Sequence, residues 1–223
     1  MFEHKGIWLP DGDTHFIDHL DKGPMVADAG TYQFSKLEAA IAHCEHRRTA
    51  LDIGAHVGMW SRVLALTFET ILAYEPVPEH RDCFVKNLTR PGNCRVHLFP
   101  VALGNEDKTI HILTTADNSG NAHINPNGVA VNGIKVHQRR LDDYVLNHHH
   151  GIDFIKIDVE GWELEVIKGA KETIRRHKPV MVVEQKKGHG QRYGVPDTAA
   201  VDLLKVWGAQ VVWMKNGDYC LKW

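Results

Sequence analysis

The sequence predicts an α/β protein with a doubly wound, Rossmann-like and mostly parallel sheet that ends in an antiparallel hairpin. From Thr49 onward, short apolar strands alternate with amphipathic helices, and strands joined by helices pair in parallel through right-handed crossovers. Two segments depart from this alternation. Residues 105–140 show period-two alternation among Gly and Asn residues, which predicts extra β-hairpins, and Asn216-Gly217 between two apolar runs predicts the final hairpin.

The predicted elements divide the chain into a short extension and a core. The extension, residues 1–48, is expected to hold strands near 6–9 and 15–17, joined by a turn at 10–13, and a helix at 35–46 that starts in a capping box of Ser35 and Glu38. Core strands are predicted at 49–54, 70–75, 94–99, 152–158 and 179–184, and core helices at 59–68, 78–88, 163–177 and 198–207. The extension is too short to fold alone, so residues 1–223 are predicted to form one domain, with residues 49–223 as its core and the extension as a possible lid.

The composition is that of a globular protein with little attraction for polyanions. The 223 residues are 43% apolar and 24% charged, with a net charge of -2. Because counterion release on nucleic acid needs a basic excess, nucleic acid is not the expected partner. No apolar run has membrane-spanning length and the first residues lack an apolar h-region, so we expect a cytoplasmic protein with no membrane partner. The sequence leaves the oligomeric state open.

Neither the cysteines nor the histidine run predicts a metal site. The four cysteines are scattered without CxxC spacing, which is typical of reduced thiols in a cytosolic fold. Residues 148–150 are three consecutive histidines, and adjacent side chains do not converge on one ion in a regular element. We therefore predict a solvated turn there.

A glycine loop and a distant acid predict a nucleoside site. Asp52, Gly54 and Gly58 lie between a strand and a helix, where glycines allow the backbone to approach a ligand closely. Glu75 ends the next strand, 21 residues after Gly54 (75 minus 54), where a carboxylate can accept hydrogen bonds from both ribose hydroxyls. These residues suit NAD as well as S-adenosylmethionine, although GxxxG in place of GxGxxG weakens the pyrophosphate interpretation.

Two carboxylates follow the strand at 152–158. Ligands of open α/β sheets bind beyond the carboxyl ends of the strands, so Asp158 is a candidate catalytic or substrate-orienting group, with Glu160 as the second candidate. The alternative is structural: Asp158 caps the following helix and Glu160 complements its dipole. A divalent metal held by both, with Glu184 or His123 as a further ligand, is a third interpretation that we do not favour.

Three more residues are candidates for binding an acceptor. Glu184 closes the next strand, His123 lies in an irregular segment, and Trp162 offers an aromatic face. Each has a plain alternative: a strand-end acid, a solvated loop histidine, or a ring packed on the sheet. Residues 186–194 are predicted to form a mobile loop at the rim of the pocket. Its charges could recognise an anionic acceptor or be solvated, and we favour the second interpretation.

Together these segments resemble the FkbM-type S-adenosylmethionine-dependent methyltransferases. The resemblance covers about residues 49–184 and rests on LDIGAHVGMWS, AYEP, VALGN, RLDDYV, IDFIKIDVEGWELEVIKGA and KPVMVVE, of which the last two are specific to that family. It implies a seven-stranded class I methyltransferase sheet, with the cofactor over residues 54–58, Glu75 on the ribose and residues 101–103 near the adenine. The implied cofactor-binding residues are Asp52, Gly54, His56, Gly58, Met59, Glu75, Pro76, Ala102, Leu103 and Asp158, and His56 stands where the family more often has Asn.

The resemblance also implies a reaction. Better-understood members look like O-methyltransferases, so we expect methylation of a hydroxyl on a sugar, glycan or small natural product. The methyl of S-adenosylmethionine is already activated, so the enzyme must mainly align the acceptor and help its proton to leave. Two alternatives stay open: an NAD-dependent reductase or epimerase, which would want a third glycine and a Tyr-x-x-x-Lys pair, and a module that binds the cofactor without turnover.

Overall fold

The structure is a computed structural model that describes residues 1–88, 93–115, 117–128, 132–145 and 151–223, and the predicted histidine turn at 148–150 lies outside them. Its strands are β1 (Phe2–His4), β2 (Ile7–Leu9), β3 (Met25–Val26), β4 (Ala29–Gly30), β5 (Thr49–Ile53), β6 (Thr70–Tyr74), β7 (Arg95–Phe99), β8 (Ala102–Leu103), β9 (Lys108–Leu113), β10 (His123–Ile124), β11 (Ile134–Arg139), β12 (Ile152–Ile157), β13 (Val180–Glu184), β14 (Gln210–Lys215) and β15 (Asp218–Lys222). Its helices are α1 (His15–Lys22), α2 (Phe34–Ile41), α3 (Met59–Leu64), α4 (Pro78–Asn87), α5 (Leu141–Val145), α6 (Glu163–Gly169), α7 (Lys171–His177) and α8 (Ala199–Val206), with 3-10 turns at Ser119–Asn121 and Gly190–Tyr193. None of the helices in these ranges has the length and apolar character needed to span a bilayer.

A central sheet of seven strands has the order β14-β15-β13-β12-β5-β6-β7. The strands from β13 to β7 pair in parallel, whereas β15 is antiparallel to both β13 and β14. This is the predicted doubly wound, mostly parallel sheet of a class I methyltransferase. The chain runs from β5 outward to β7 and then returns to β12, so the switch of direction lies between β5 and β12, where such sheets bind ligands.

The central strands are buried on both faces because helices cover both sides of the sheet. Along β5, Leu51 and Ile53 pack with α6, α7 and α8, and Ala50 packs on the opposite face with α2 and α3. This alternation follows the period of two in a strand. The core therefore holds the carboxyl ends of the strands rigidly, and these ends carry the candidate residues.

The extra β-structure predicted near 105–140 is confirmed. A second sheet has the order β10-β9-β11-β8, in which β9 is antiparallel to β10 and β11. The C-terminal hairpin is also confirmed, and Asn216 (φ +52°) and Gly217 (φ +85°) supply the two positive φ angles of its turn.

Three local predictions are wrong. Residues 15–17 are not a strand but the start of α1, because Phe16 and Leu20, four residues apart, are both buried. The N-terminal hairpin is instead β1–β2. The helix α2 begins at Phe34 after Gln33 and makes no side-chain capping bond, so the box of Ser35 and Glu38 does not form.

The helix predicted at 163–177 is divided into α6 and α7 at Ala170. The buried carboxylate of Asp142 accepts the N–H groups of Glu172 and Thr173, at 3.1 and 2.9 Å, and the Thr173 hydroxyl at 2.7 Å. A side chain from α5 therefore accepts hydrogen bonds from N–H groups in the first turn of α7, and the new helix begins there.

Candidate active site

The loop after β5 is held against the ends of two neighbouring strands. The N–H groups of Gly54 and Ala55 both donate to the carbonyl oxygen of Tyr74, at 3.0 and 3.1 Å. Gly54 has a φ of +75°, and a Cβ there would overlap the backbone carbonyl oxygen of Asp158. Only glycine fits such a position, so the predicted cofactor loop lies directly against the turn that carries Asp158.

Glu75 directly follows β6, and its carboxylate accepts a hydrogen bond from this loop. One carboxylate oxygen accepts the N–H of His56 at 2.9 Å, and the other accepts the N–H of Val77 at 2.8 Å and lies 3.3 Å from Nδ1 of His80. Each carboxylate oxygen can accept more than one hydrogen bond. Glu75 therefore fixes the loop and still has acceptor capacity toward the cleft that it lines.

His56 connects the loop to the N-terminal extension. Its Nε2 lies 2.7 Å from the hydroxyl of Ser119, and that hydroxyl and the Ser119 N–H both donate to the carboxylate of Asp13. Burial, followed by the neighbouring His80, lowers the pKa of His56 well below its usual value, so the ring is neutral. His56, which stands where the family more often has Asn, thus connects the glycine loop through Ser119 to Asp13 of the extension.

Asp52 and Gly58 lie behind the wall of the cleft, where they contact other residues of the protein. Asp52 is fully buried, accepts the Ser61 hydroxyl at 2.7 Å and lies 3.5 Å from Nζ of Lys156. Gly58 precedes α3 with a φ of +85°, and a Cβ there would lie 2.7 Å from the Phe84 ring. Both residues shape the loop, and neither lines the cleft itself.

Asp158 follows β12 and is paired with a lysine from the same strand. Nζ of Lys156 lies 3.4 Å from Oδ2 of Asp158, 3.5 Å from Asp52 and 3.3 Å from the carbonyl oxygen of Gly54. Burial alone would raise the pKa of Asp158, but the ammonium groups of Lys156 and then Lys186 outweigh it and lower the pKa. Asp158 is therefore a fixed negative charge in the cleft.

The capping role considered for Asp158 belongs to Glu163 instead. Oε1 of Glu163 accepts the N–H groups of Gly161 and Val159, at 2.9 and 3.2 Å, ahead of α6. Trp162, the residue that precedes this helix, makes no side-chain capping bond, and neither does Asp158 to that turn. The structural interpretation of Asp158 as a helix cap is wrong.

Glu160 occupies a different environment, only two residues away. Its φ of +57° is uncommon for a residue with a side chain. Oε2 lies 3.2 Å from Nδ1 of His189, and Oε1 lies 3.9 Å from Nζ of Lys186. Burial, and then the charge of Asp158, raise the pKa of Glu160 to about 7.

Glu184 ends β13 behind these groups and is 2% exposed. Its Oε1 lies 2.7 Å from Nζ of Lys186, and its other carboxyl oxygen is buried without a hydrogen-bond partner. Burial, and then Asp158, raise the pKa of Glu184 to about 10, so it holds the proton that two adjacent carboxyl groups must share. Nζ of Lys186 lies 2.7 Å from Glu184 and 3.9 Å from Glu160, so its predicted role as a merely solvated rim charge is wrong.

Glu160, Glu184 and His189 each offer a possible metal ligand, and the three atoms lie within 4.8 Å of one another. His123, the ligand considered from the sequence, is not in this group; its Nδ1 lies 2.9 Å from the carbonyl oxygen of Asn121. The ammonium of Lys186 lies beside both carboxylates. In this arrangement a lysine supplies the positive charge that a metal ion would bring.

One cleft brings most of the candidate residues together. Trp162 lines it while its Nε1 donates to Gln138 at 3.0 Å and its ring meets Tyr193 edge-on. The predicted residues that line the cleft are Gly54, His56, Met59, Glu75, Pro76, Ala102, Leu103, His123, Asp158, Glu160 and Trp162, whereas Asp52, Gly58 and Glu184 lie behind its wall.

Sequence reasoning missed several titratable residues that also line the cleft, among them Lys156, Lys186 and His189. Lys156 has a signal in the sequence, because a lysine within an otherwise buried strand needs an acidic partner. Lys186 and His189 follow the last parallel strand at its carboxyl end, which is the same edge of the sheet that holds the other candidates.

Comparisons with known proteins identify the family and the fold of the chain. A family model of the methyltransferase FkbM domain matches residues 52–211. Methyltransferase 1 of Beauveria bassiana (strain ARSEF 2860) is 23% identical over 141 residues, which are 53% of this chain and 57% of that protein. The chain therefore spans little more than half of the length of this curated relative.

Two solved structures have the same fold. Precorrin-6y C5,15-methyltransferase from Geobacter metallireducens GS-15 superposes with a TM-score of 0.51 at 16% identity, over 99% of both chains. SMU.1697c from Streptococcus mutans, in complex with SAH, superposes with a TM-score of 0.51 at 9% identity, over 84% of this chain and 94% of that one. At these identities the likeness concerns the fold.

Proposed function

Because the chain belongs to the FkbM methyltransferase family, we propose that it transfers a methyl group from S-adenosylmethionine to a hydroxyl of a sugar, a glycan or a small natural product. One observation carries this proposal: the glycine loop after β5 packs against the backbone of the turn that carries Asp158 and Glu160, and the loop and both carboxylates line a single cleft. The complex of SMU.1697c with SAH supports a nucleoside cofactor in a fold of this kind.

The cofactor would lie along the glycine loop. Glu75 would accept hydrogen bonds from the ribose hydroxyls, Gly54 would allow close approach of the backbone, and Ala102 and Leu103 would contact the adenine. When bound, S-adenosylmethionine supplies an activated methyl group. The residues of the chain must then orient an acceptor oxygen and keep water away.

The acceptor would lie between the loop and the carboxylates. Asp158, held by Lys156, would accept a hydrogen bond from the reacting or a neighbouring hydroxyl, and the flat ring of Trp162 suits the apolar face of a sugar. Phe16 of the extension and Ser119 close the other side of the cleft. The pairing of Ser119 with Asp13 supports a lid function for the extension.

A binding experiment tests the cofactor. Isothermal titration with S-adenosylhomocysteine, NAD and NADP in parallel should give micromolar binding of the first alone. Binding of a nicotinamide cofactor instead would contradict the proposal and favour a reductase or epimerase.

An acceptor screen tests the reaction. Sugars, glycans, phenols and amines are offered with labelled S-adenosylmethionine, and the proposal expects label on hydroxyl oxygens. Asp158→Asn should lower turnover and keep S-adenosylhomocysteine binding, and Glu172→Gln, an exposed acid on α7, is the matched control. Full turnover by Asp158→Asn, or label on nitrogen alone, would contradict the assignment. Cofactor binding without turnover on any acceptor would mean a binding module.

A further inference from the structure

We propose that the group that accepts the proton of the acceptor hydroxyl is His189, paired with Glu160, and not Asp158; this inference rests on the proposed O-methyl transfer. Nδ1 of His189 lies 3.2 Å from Oε2 of Glu160, and both residues line the cleft. A carboxylate that holds one ring nitrogen of a histidine fixes the tautomer and leaves the other nitrogen free to accept a proton. Nδ1 is the ring nitrogen that lies toward Glu160, so the proposal makes Nε2 the base.

Nδ1 of His189 and Oε2 of Glu160 are close, but they do not form a hydrogen bond. The ring N–H of His189 does not point straight at the carboxylate, although the two heavy atoms are within reach. Catalytic hydrogen bonds are often long or poorly aligned until substrate binds.

The backbone aims Glu160 at an energetic cost. A non-glycine residue at φ +57° is strained, and such strain concentrates at functional sites. The next residue, Gly161, has a φ of +106°, and a Cβ there would lie 2.5 Å from the carbonyl oxygen of His189. The turn that carries Glu160 therefore packs directly on the loop that carries His189.

The loop around His189 is anchored on its other side. The carboxylate of Asp197 accepts the N–H groups of Gly188 and Gly190 at 2.8 and 3.0 Å, so both neighbours of His189 are held by one side chain. Arg192 donates to the carbonyl oxygen of Glu160 at 3.2 Å. Two elements that are far apart in sequence thus present their side chains to each other in a fixed arrangement.

Asp158 is a poor candidate for the same role. Lys156, with Nζ 3.4 Å from Oδ2, and the ammonium of Lys186 both stabilise its charge and lower its pKa. A carboxylate with a lowered pKa holds a proton weakly near neutral pH, whereas a base is most effective when its pKa is near the working pH. Asp158 is suited to orient the acceptor and to balance positive charge.

The charges that face the pair set its pH dependence. Burial, then the cations Lys186 and Arg192, lower the pKa of His189, and Asp158 and Asp197 oppose them. The ring is therefore neutral at pH 7 and above. Burial, Asp158 and Glu163 raise the pKa of Glu160 to about 7, against Lys186 and Arg192, so its charge develops as the pH passes that value. Turnover should rise through about pH 7 and then level off.

The proton balance of the step is complete. The acceptor oxygen forms a bond to the methyl carbon while the carbon–sulfur bond breaks, and that electron pair stays on sulfur. The hydroxyl proton passes to Nε2 of His189, and Glu160 carries the compensating charge. The imidazolium returns its proton to water when the cleft opens, so no oxidant or further reactant is required.

Kinetics of two variants test the assignment. His189→Ala should lower kcat by about 10²–10⁴-fold, with KM and S-adenosylhomocysteine affinity within threefold, and added imidazole should restore part of the rate. His46→Gln, an exposed histidine near the amino end of β5, is the matched control. Asp158→Asn should slow turnover, and the rise should move to lower pH because the charge that helps raise the pKa of Glu160 is removed. A kcat within threefold of wild type in His189→Ala would overturn the proposal.

A spectroscopic measurement tests the pairing without an acceptor. In ¹⁵N-histidine NMR spectra at pH 8, assigned with a His189→Gln variant, the signal of His189 should report a neutral ring protonated on Nδ1. Glu160→Gln should change that tautomer. An Nε2–H tautomer or a charged ring would overturn this inference but leave the proposed methyl transfer intact. If wild-type protein does not bind S-adenosylhomocysteine, the proposed function itself is contradicted.

Discussion

The contact between Gly54 and the turn at Asp158 makes a strong prediction for Gly54→Ala. Two costs arise. An alanine at φ +75° pays about 1–2 kcal/mol for the left-handed backbone. Its Cβ would also overlap the carbonyl oxygen of Asp158 and lie 2.9 Å from the carbonyl carbon, and a backbone group cannot swing aside. Separating the two loops weakens two backbone hydrogen bonds, one from the Asp158 N–H to the carbonyl oxygen of Ile53 and one from the Gly54 N–H to that of Tyr74. Each weakened bond lowers the free energy of unfolding by about 1 kcal/mol.

Comparison with Gly194→Ala separates the steric cost of the added Cβ from the cost of the left-handed backbone. Gly194 has a φ of +73°, almost that of Gly54, but nothing lies within 4 Å of an added Cβ. Gly54→Ala should therefore lose about 2 kcal/mol more than Gly194→Ala, which for a chain of this size is a melting temperature lower by roughly 4–8 °C. Differential scanning calorimetry measures this gap, and titration with S-adenosylhomocysteine should show binding lost only in Gly54→Ala. Equal melting temperatures in the two variants would refute the reasoning.

Three further predictions concern the cap, the metal and the buried proton. Asp142→Ala removes three hydrogen bonds at α7 and should lower the free energy of unfolding in urea by about 2 kcal/mol; a loss no larger than that of the exposed Asp143→Ala would contradict this. Turnover should not change in a chelator, because Lys186 supplies the positive charge beside Glu184, and activity restored by magnesium after chelation would show otherwise. The folded-state pKa of Glu184, about 10, is above its unfolded value, so its contribution to stability is present below about pH 4.5 and is lost as the pH rises toward 10. The free energy of unfolding of Glu184→Gln should therefore rise relative to that of wild type between pH 5 and pH 9, by at most about 1.4 kcal/mol per pH unit. Urea denaturation measures this difference. A difference that stays constant with pH, or that changes in the opposite direction, would mean that Glu184 is ionised.

The fold was predictable because strong, local patterns agree with it. The buried parallel strands are continuous apolar runs, and Asn216-Gly217 permits only a narrow set of turns. The errors arose where a distant side chain decides the local structure. Nothing between residues 163 and 177 indicates that Asp142 will open a second helix there, and the strand expected at 15–17 became a helix because Phe16 and Leu20 have a hydrophobic surface to cover.

The site was predictable in its position more than in its chemistry. Strand ends identified Gly54, Glu75 and Asp158, since parallel strands bring their carboxyl ends to one edge. The sequence could not show that His189 faces Glu160, because that contact depends on how the loop after β13 folds back. The charges of that loop were predicted to be solvated, since loop charges usually are.

The turn from Asp158 to Gly161 gives two neighbouring acids opposite properties. Asp158 continues the direction of β12 and meets Lys156, so its pKa is lowered, whereas the left-handed backbone at Glu160 turns the next acid toward His189 and Lys186, where burial raises its pKa to about 7. Sites that need a permanent charge and a proton-transfer group side by side separate the pKa values of the two groups by environment. The strained φ at Glu160 and the close approach at Gly161 are what create the two environments within four residues, and this is the physical reason to assign orientation to Asp158 and proton transfer to the pair of Glu160 and His189.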